Sequence, residues 1–246
     1  MAQAYAAPVP LRILPSARFL VMPQIGHDAA LTRIRAEICD GALRPPDAAE
    51  ASRLESVESL FVPFWRVDIG QPLYALRTSQ ERRAYLGVPI SELGPGDGRS
   101  AWMVCARHRF PFEMKHPTLA IPGDARPLLL PTMLVQAGDP DPAWGWAEIE
   151  ADLDDLAAET LAMGSYRQFA IDPALLTGDA EPHVRAMHFV RYPIWLARYR
   201  YRAESAPSAD GCFHVGISAV DGAPITALHP SKLAAGAAKL KKLFGL

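Results

Sequence analysis

Two long apolar segments constrain the fold of this chain more than any other feature of its sequence. In the first, residues 57–69, apolar side chains occupy both alternating positions over residues 60–65. Because successive side chains of a strand point to opposite faces of a sheet, this pattern predicts a central strand that is covered on both faces. The second segment, residues 188–202, predicts another long strand, and Asp221-Gly222 between two apolar runs predicts a hairpin after it.

Amphipathic helices are predicted before both long strands and at the end of the chain. Apolar residues recur at helical spacing over residues 29–39, where Asp28 is the predicted N-cap. A third helix is predicted over residues 231–246. A longer stretch of apolar residues at helical spacing predicts the second helix, over residues 146–163. A row of carboxylates lies on its flank: Glu148, Asp152, Asp155 and Glu159.

The order of these elements repeats along the chain. In each half a Leu-Pro step precedes an amphipathic helix, and the helix precedes a strand in which Trp65 or Trp195 follows a proline by two residues. Duplication of one unit is the simplest account of this order. We therefore predict an α+β fold of two pseudo-repeated units, each an amphipathic helix packed on an antiparallel sheet, plus a C-terminal helix. The units span residues 13–126 and 127–229, and the helix spans residues 230–246.

Three motifs in the second half of the chain carry a resemblance to known proteins. They are Tyr192-Pro193-Ile194-Trp195, Tyr199-Arg200-Tyr201 and Ala219-Val220-Asp221-Gly222. With the preceding helix, they resemble the Pro-aromatic-Trp region of a set of poorly characterised bacterial proteins that carry zinc ribbons ahead of that region. The last motif also resembles the end of PepSY-type and cystatin-like units, in which one helix packs on a curved antiparallel sheet. The resemblance implies this fold over residues 13–232; the chain has no Cys-x-x-Cys pair, so no zinc ribbon is expected.

Composition and charge exclude several classes of protein. Half of the 246 residues are hydrophobic and 21% are charged, which excludes a globally disordered chain. The 25 basic and 27 acidic side chains leave a net charge of −2, so no nucleic-acid partner is expected. Three widely spaced cysteines, with no recognisable signal peptide or membrane span, predict a reduced, cytoplasmic bacterial protein.

Two small clusters of sulfur and nitrogen ligands are the candidates for metal binding. Cys105 lies close to His108, and Cys212 lies two residues from His214, which places that pair on one face of a strand. Zinc needs three or four such ligands that converge. Buried thiols and half-exposed histidines are commoner than metal sites, so neither a metal nor another cofactor is expected.

Arginine and aromatic residues on the second long strand are the main candidates for function. Arginine, tyrosine and tryptophan are enriched at protein interfaces, and we interpret the chain as a non-enzymatic protein-interaction or assembly module, with a protein partner or a second copy. The alternative is a small-ligand- or metal-dependent enzyme with its site at the junction of the two units. The candidate partner-binding residues are Arg198, Arg200, Arg202, Tyr199, Tyr201, Lys239, Lys242 and Phe244.

Two further interpretations attach to the charged segments. The row of carboxylates on the second helix is interpreted as the ion-pair partner of the arginine row, rather than as an acid–base pair for catalysis. The basic C-terminal helix could contact an anionic membrane peripherally, but docking on a protein groove is favoured because nothing else in the sequence suggests a bilayer.

Overall fold

The protein is a mixed α and β structure built on one open sheet. The computed structural model describes residues 17–40, 45, 47–70, 99–110, 112–116, 119–127, 135–170, 183–202 and 211–230. Within these residues there are nine strands in one sheet and three α-helices. The helices are α1 (His27–Cys39), α2 (Ala48–Ala51) and α3 (Asp155–Ala170). The strands are β1 (Ala17–Val21), β2 (Ser52–Gly70), β3 (Arg99–Cys105), β4 (Ala125–Pro127), β5 (Val135–Ala137), β6 (Ala147–Glu148), β7 (His183–Tyr201), β8 (Gly211–Ser218) and β9 (Pro224–Leu228).

Strands β2 and β7 form the centre of the sheet. They pair antiparallel from Ser52 opposite Tyr201 to Gly70 opposite His183. The other edge of β2 holds β3 antiparallel and β6 parallel, and the other edge of β7 holds β8 antiparallel and β1 parallel. Strands β4, β9 and β5 extend the sheet from β3, β8 and β1. The segments that we predicted as separate units therefore contribute strands to one sheet.

The two faces of the sheet are covered by different parts of the chain. Helix α3 packs on the half formed by β2 and β3, in a cluster that includes Trp65 and Tyr166. Helix α1 packs on the same face over β7 and β8, where Ala30, Ile34 and Ile38 are buried. The opposite face is covered by the segment after β3, with Phe112, Met114, Leu119 and Ala120 in its core.

The prediction that the first long strand is buried on both faces is confirmed. Phe61 and Val62 point to opposite faces of β2, and their side chains are 1% and 0% exposed. The hairpin prediction is also confirmed, because β8 and β9 pair on either side of the turn. Gly222 in this turn has φ +77°, a left-handed conformation that glycine adopts at little cost.

Both strand tryptophans attach a helix to the sheet. The Trp65 indole Nε1 donates a hydrogen bond to the Leu153 carbonyl at 2.9 Å, and Trp195 Nε1 donates to the Ile25 carbonyl at 2.9 Å. Leu153 and Ile25 each lie two residues before the first residue of a helix. Both indoles are 8% exposed, so each hydrogen bond is largely shielded from water.

The predicted second helix begins later than we expected, at Asp155. Residues Ala147 and Glu148 are extended, because they pair with the free edge of β2 as strand β6. The Asp154 carboxylate then accepts a hydrogen bond from the Ala157 backbone N–H at 2.8 Å, as an N-cap does. The predicted row of carboxylates is therefore wrong as a helix face, since Glu148 and Asp152 precede the helix.

The first helix begins slightly earlier than predicted, at His27. Its N-cap is Gly26, and Asp28, the predicted cap, lies in the first turn, where a carboxylate favours the helix dipole. The third predicted helix, with Lys239, Lys242 and Phe244, lies outside the described residues. None of the helices that the structure describes has the length and apolarity needed to cross a bilayer.

Candidate functional site

A cleft opens on the helix-bearing face of the sheet, beside the segment that leads from β6 into α3. Its volume is about 540 Å³, within the range of ligand-binding pockets. Side chains reach it from β1, β2 and β7, and the chain between β6 and α3 forms one wall. The lining residues are Arg18, Trp65, Glu148, Ile149, Glu150, Ala151, Phe189 and Arg191.

Arg191 is the central charged residue of the cleft. It lies on β7 between buried neighbours, and its side chain is only 9% exposed. Its Nε donates to Glu148 Oε2 at 2.7 Å, and its Nη1 donates to Asp139 Oδ1 at 2.7 Å. Both hydrogen bonds are short and charge-assisted. Because a largely buried charge without partners is costly, strand β6 and the turn after β5 are required to hold this arginine in the fold.

Arg18 and Asp139 form the outer rim of the same cluster. Arg18 Nη1 donates to Asp139 Oδ1 at 3.3 Å, and the Arg18 side chain is 63% exposed. Partial burial raises the pKa of Asp139, but the hydrogen bonds and charges of Arg18 and Arg191 outweigh it and hold this pKa below its ordinary value. Asp139 is therefore an ionised carboxylate at neutral pH. The long bond and high exposure leave Arg18 able to turn toward a ligand while Arg191 keeps its partners.

The apolar wall of the cleft is aromatic. The Phe189 ring lies 5.3 Å from the Trp65 ring, centroid to centroid, in an edge-to-face arrangement. On the other side, the Arg191 guanidinium carbon lies 5.3 Å from the centre of the Phe189 ring, within the range of a cation–π contact. The cleft therefore offers ring surfaces next to a fixed, planar cation.

Charges of both signs surround the cleft. Arg18 and Arg191 contribute two positive charges, Glu148 and Glu150 contribute two negative ones, and Asp139 on the rim adds a third negative charge. None of the described lining residues is a serine, cysteine, histidine or lysine. The described lining therefore combines guanidinium groups, carboxylates and aromatic surface.

The predicted arginine row lies away from the cleft, on the opposite face of the sheet. Arg200 Nε donates to Glu55 Oε1 at 2.7 Å, and Arg198 Nε lies 3.8 Å from Glu58 Oε1. These carboxylates belong to β2, so the expected pairing with the acidic flank of the second helix is wrong. Arg202 is exposed at the end of the same row.

The two tyrosines predicted with this row are buried. Tyr199 is 0% exposed and Tyr201 is 1% exposed, in the cluster under α1. The Tyr199 hydroxyl is hydrogen-bonded to His229 Nδ1 at 2.7 Å, and the Tyr201 hydroxyl donates to Asp47 at 2.8 Å. On this strand the arginines face solvent, and the tyrosines serve the core.

The candidate metal ligands have different surroundings in the structure. Cys105 is buried on β3, and burial raises its pKa to about 12, so it is a neutral thiol. His108 is exposed, and its Nδ1 lies 3.2 Å from Asp152 Oδ1. Cys212 is exposed on β8, and His214 is hydrogen-bonded to the hydroxyl of a neighbouring threonine. Among the residues that the structure describes, no three His, Cys, Asp or Glu side chains form a group that could hold a metal ion.

Trp65 and Glu148 are the cleft residues that were named from the sequence, Trp65 for the repeat and Glu148 for the row of carboxylates. The signal for a site was present at Arg191, the charged residue in the otherwise uncharged stretch 189–197. A charged side chain at a buried position of a central strand requires an oppositely charged partner, and such a cluster of charges is a candidate functional site. Its partners Glu148 and Asp139 are distant in sequence and come together only through the sheet.

Comparison with known proteins adds no relative. The chain matches no protein-family model, no curated protein and no solved structure. The resemblance stated from the sequence therefore stays a prediction, and the cleft is interpreted from its own chemistry.

Proposed function

We propose that the chain is an internally duplicated, non-enzymatic module that binds a segment of another protein in this cleft. The observation that carries the proposal is the composition of the cleft wall. Arg191 is largely buried and Arg18 lies at the rim, and both are hydrogen-bonded to carboxylates. The rings of Trp65 and Phe189 lie beside them. Arginine and aromatic side chains of this kind supply most of the affinity at protein interfaces.

Repeated hydrogen bonds support the duplication. The bond from Trp65 to the carbonyl before α3 matches the bond from Trp195 to the carbonyl before α1. Three backbone hydrogen bonds near each tryptophan repeat in the same way. In one set Ala106 N donates to Pro63 O, and Asp152 N and Leu153 N both donate to Ala106 O. In the other set Ala219 N donates to Pro193 O, and Gln24 N and Ile25 N both donate to Ala219 O. Unrelated elements would have no reason to share this set.

The strand pairing supports the same two-fold relation. Strand β1, before α1, pairs parallel with β7, and strand β6, before α3, pairs parallel with β2. In each proposed unit, residues 13–126 and 127–229, the strand that directly precedes the long helix therefore pairs with the long strand of the other unit. The proposed two-fold axis passes between Val62 and Tyr192, which lie opposite each other in the antiparallel pair of β2 and β7.

The cleft lies where the two units meet. Arg18 and Trp65 come from the first unit, whereas Glu148, Phe189 and Arg191 come from the second. The junction is also where we expected the site of the alternative, an enzyme. The short ion pair between Glu148 and Arg191 favours a structural role for this carboxylate, and this supports binding over acid–base chemistry.

Selection from a random peptide library displayed on phage tests the proposal. The immobilised full chain should enrich peptides whose binding is lost in Arg18→Ala, because Arg18 is the exposed arginine of the cleft. Arg35→Ala is the matched control, since Arg35 is an exposed arginine on α1 that does not line the cleft. If no peptide is enriched, or if both variants retain the selected peptides equally, the cleft is not a protein-binding site.

A further inference from the structure

A buried histidine is one of the anchors of the covering segment, the part of the chain from Phe112 to His116 that lies on the sheet face opposite the helices. Burial alternates along this segment, and Phe112, Met114 and His116 are 8%, 4% and 5% exposed. The Lys115 backbone N–H donates to the Ile225 carbonyl and so attaches the segment to β9. His116 is therefore the third member of a row that holds the segment on the fold.

The His116 imidazole faces the turn between β8 and β9. Its Nε2 lies 4.0 Å from Asp221 Oδ2, and its side chain is 2% exposed. From α1, Arg33 Nη1 donates to the Asp221 carbonyl at 2.8 Å. Ser218 Oγ accepts from the Asp221 backbone N–H at 3.2 Å and is hydrogen-bonded to the Tyr192 hydroxyl at 2.8 Å. The turn is thus held in place by other elements, and His116 connects the covering segment to it.

The other charged groups near His116 give an imidazolium little support. Arg126 of β4 donates from Nη1 to the His116 carbonyl at 2.9 Å, and its Nε is hydrogen-bonded to Asp124 Oδ2 at 3.2 Å. Glu113 and Lys115 of the covering segment are exposed and pair with each other at 3.0 Å. The carboxylate of the turn faces the imidazole from beyond hydrogen-bond distance. A charged ring here loses most of its hydration without a short ion pair to that carboxylate.

Attachment of the segment therefore favours the neutral imidazole. Burial lowers the pKa of His116 below its ordinary value of 6.5; the Asp221 carboxylate opposes this shift, and the Arg126 guanidinium adds to it. Because the detached segment has the ordinary pKa, the stabilisation is fully present above pH 6.5 and is lost as the pH falls from there toward the folded pKa. Between pH 7.5 and pH 5 the equilibrium constant for detachment can rise by at most about 30-fold, the limit for a ring that stays neutral while attached.

We propose that His116 is a pH-sensitive latch, whose protonation releases the covering segment from the turn in mildly acidic solution. Phe112 and Met114 carry no titratable group, so His116 is the anchor of this row that responds to pH. Release uncovers the apolar cluster of β2, β3 and β7 against which Phe112 and Met114 pack. The latch lies on the sheet face opposite the cleft, so it does not depend on the proposed function.

Amide hydrogen exchange of the ¹⁵N-labelled full chain, followed by NMR, tests the latch. The reporter is the Lys115 N–H, whose protection factor is corrected for the intrinsic pH dependence of exchange. In the wild type this protection should fall by about tenfold or more between pH 7.5 and pH 5. In His116→Gln, whose side chain cannot be protonated, it should change by less than about threefold. His183→Gln is the matched control, since His183 is exposed on β7, and it should behave as the wild type.

Two results on the wild type would overturn the inference, and neither needs a variant that folds. One is Lys115 protection that is equal at the two pH values. The other is an NMR titration in which the His116 ring becomes protonated while Lys115 keeps its protection. A loss of protection that His116→Gln retains in full would refute the latch and assign the effect to another group. His214 is such a group, since burial and Arg198 lower its pKa and its ring lies 6.2 Å from the Phe112 ring.

Discussion

Replacing Trp65 with phenylalanine removes the hydrogen bond that attaches α3 to the sheet. The phenyl ring keeps an aromatic group at this position, but it is smaller than the indole and has no N–H to donate to Leu153. Leaving that shielded carbonyl without its donor should lower the free energy of unfolding by about 1–3 kcal/mol. Trp65→Ala, which also removes the ring, should cost about 3–5 kcal/mol.

Urea unfolding followed by far-UV circular dichroism measures both values, because the five tryptophans of the chain complicate a fluorescence signal. Trp195→Phe is the matched variant, since it deletes the corresponding bond to Ile25, and it should show a loss of similar size. Trp144→Phe is the control, because Trp144 is 38% exposed, and its effect should stay within about 0.5 kcal/mol. A loss for Trp65→Phe no larger than that of the control would refute the reasoning.

Three further predictions concern single residues. Gly222→Ala should lower the free energy of unfolding by about 1–2 kcal/mol in the same assay, because alanine is strained at φ +77°. Asp139→Asn should destabilise the protein at neutral pH. The pKa of Asp139 in the folded protein lies below its ordinary value of 3.8, so the stabilisation from its ionised carboxylate is fully present above pH 3.8 and is lost as the pH falls through the folded pKa. The difference in urea midpoint between the variant and the wild type should therefore vanish in acid. Native Cys105 should resist iodoacetamide, and mass spectrometry should find the label on the exposed Cys39 and Cys212.

The core of the sheet could be predicted from the sequence because its signal is local. Apolar residues on both faces of residues 60–65 are typical of a central strand, and the structure buries them there. The alternation after Trp195 is equally direct, since the tyrosines are buried and the arginines are exposed. Both conclusions depend only on the period of a strand.

The start of α3 could not be predicted because a distant strand decides it. Ile149 and Leu153 have helical spacing relative to the residues that follow, so the period alone extends the helix back to residue 146. Pairing with the edge of β2 competes with that helix for the backbone of Ala147 and Glu148, and the pairing wins. The cleft was missed for the same reason, since Glu148 reaches Arg191 only from an extended backbone.

The pairing of β2 with β7 has a consequence for the order in which the chain folds during synthesis. Glu55 on β2 contacts Arg200 on β7 across 145 residues of sequence, so β2 leaves the ribosome long before its main partner exists. Contacts of such separation slow folding, and an apolar strand that waits for its neighbour is exposed to aggregation. The apolar faces of β2 therefore stay without their main strand partner until β7 has been translated.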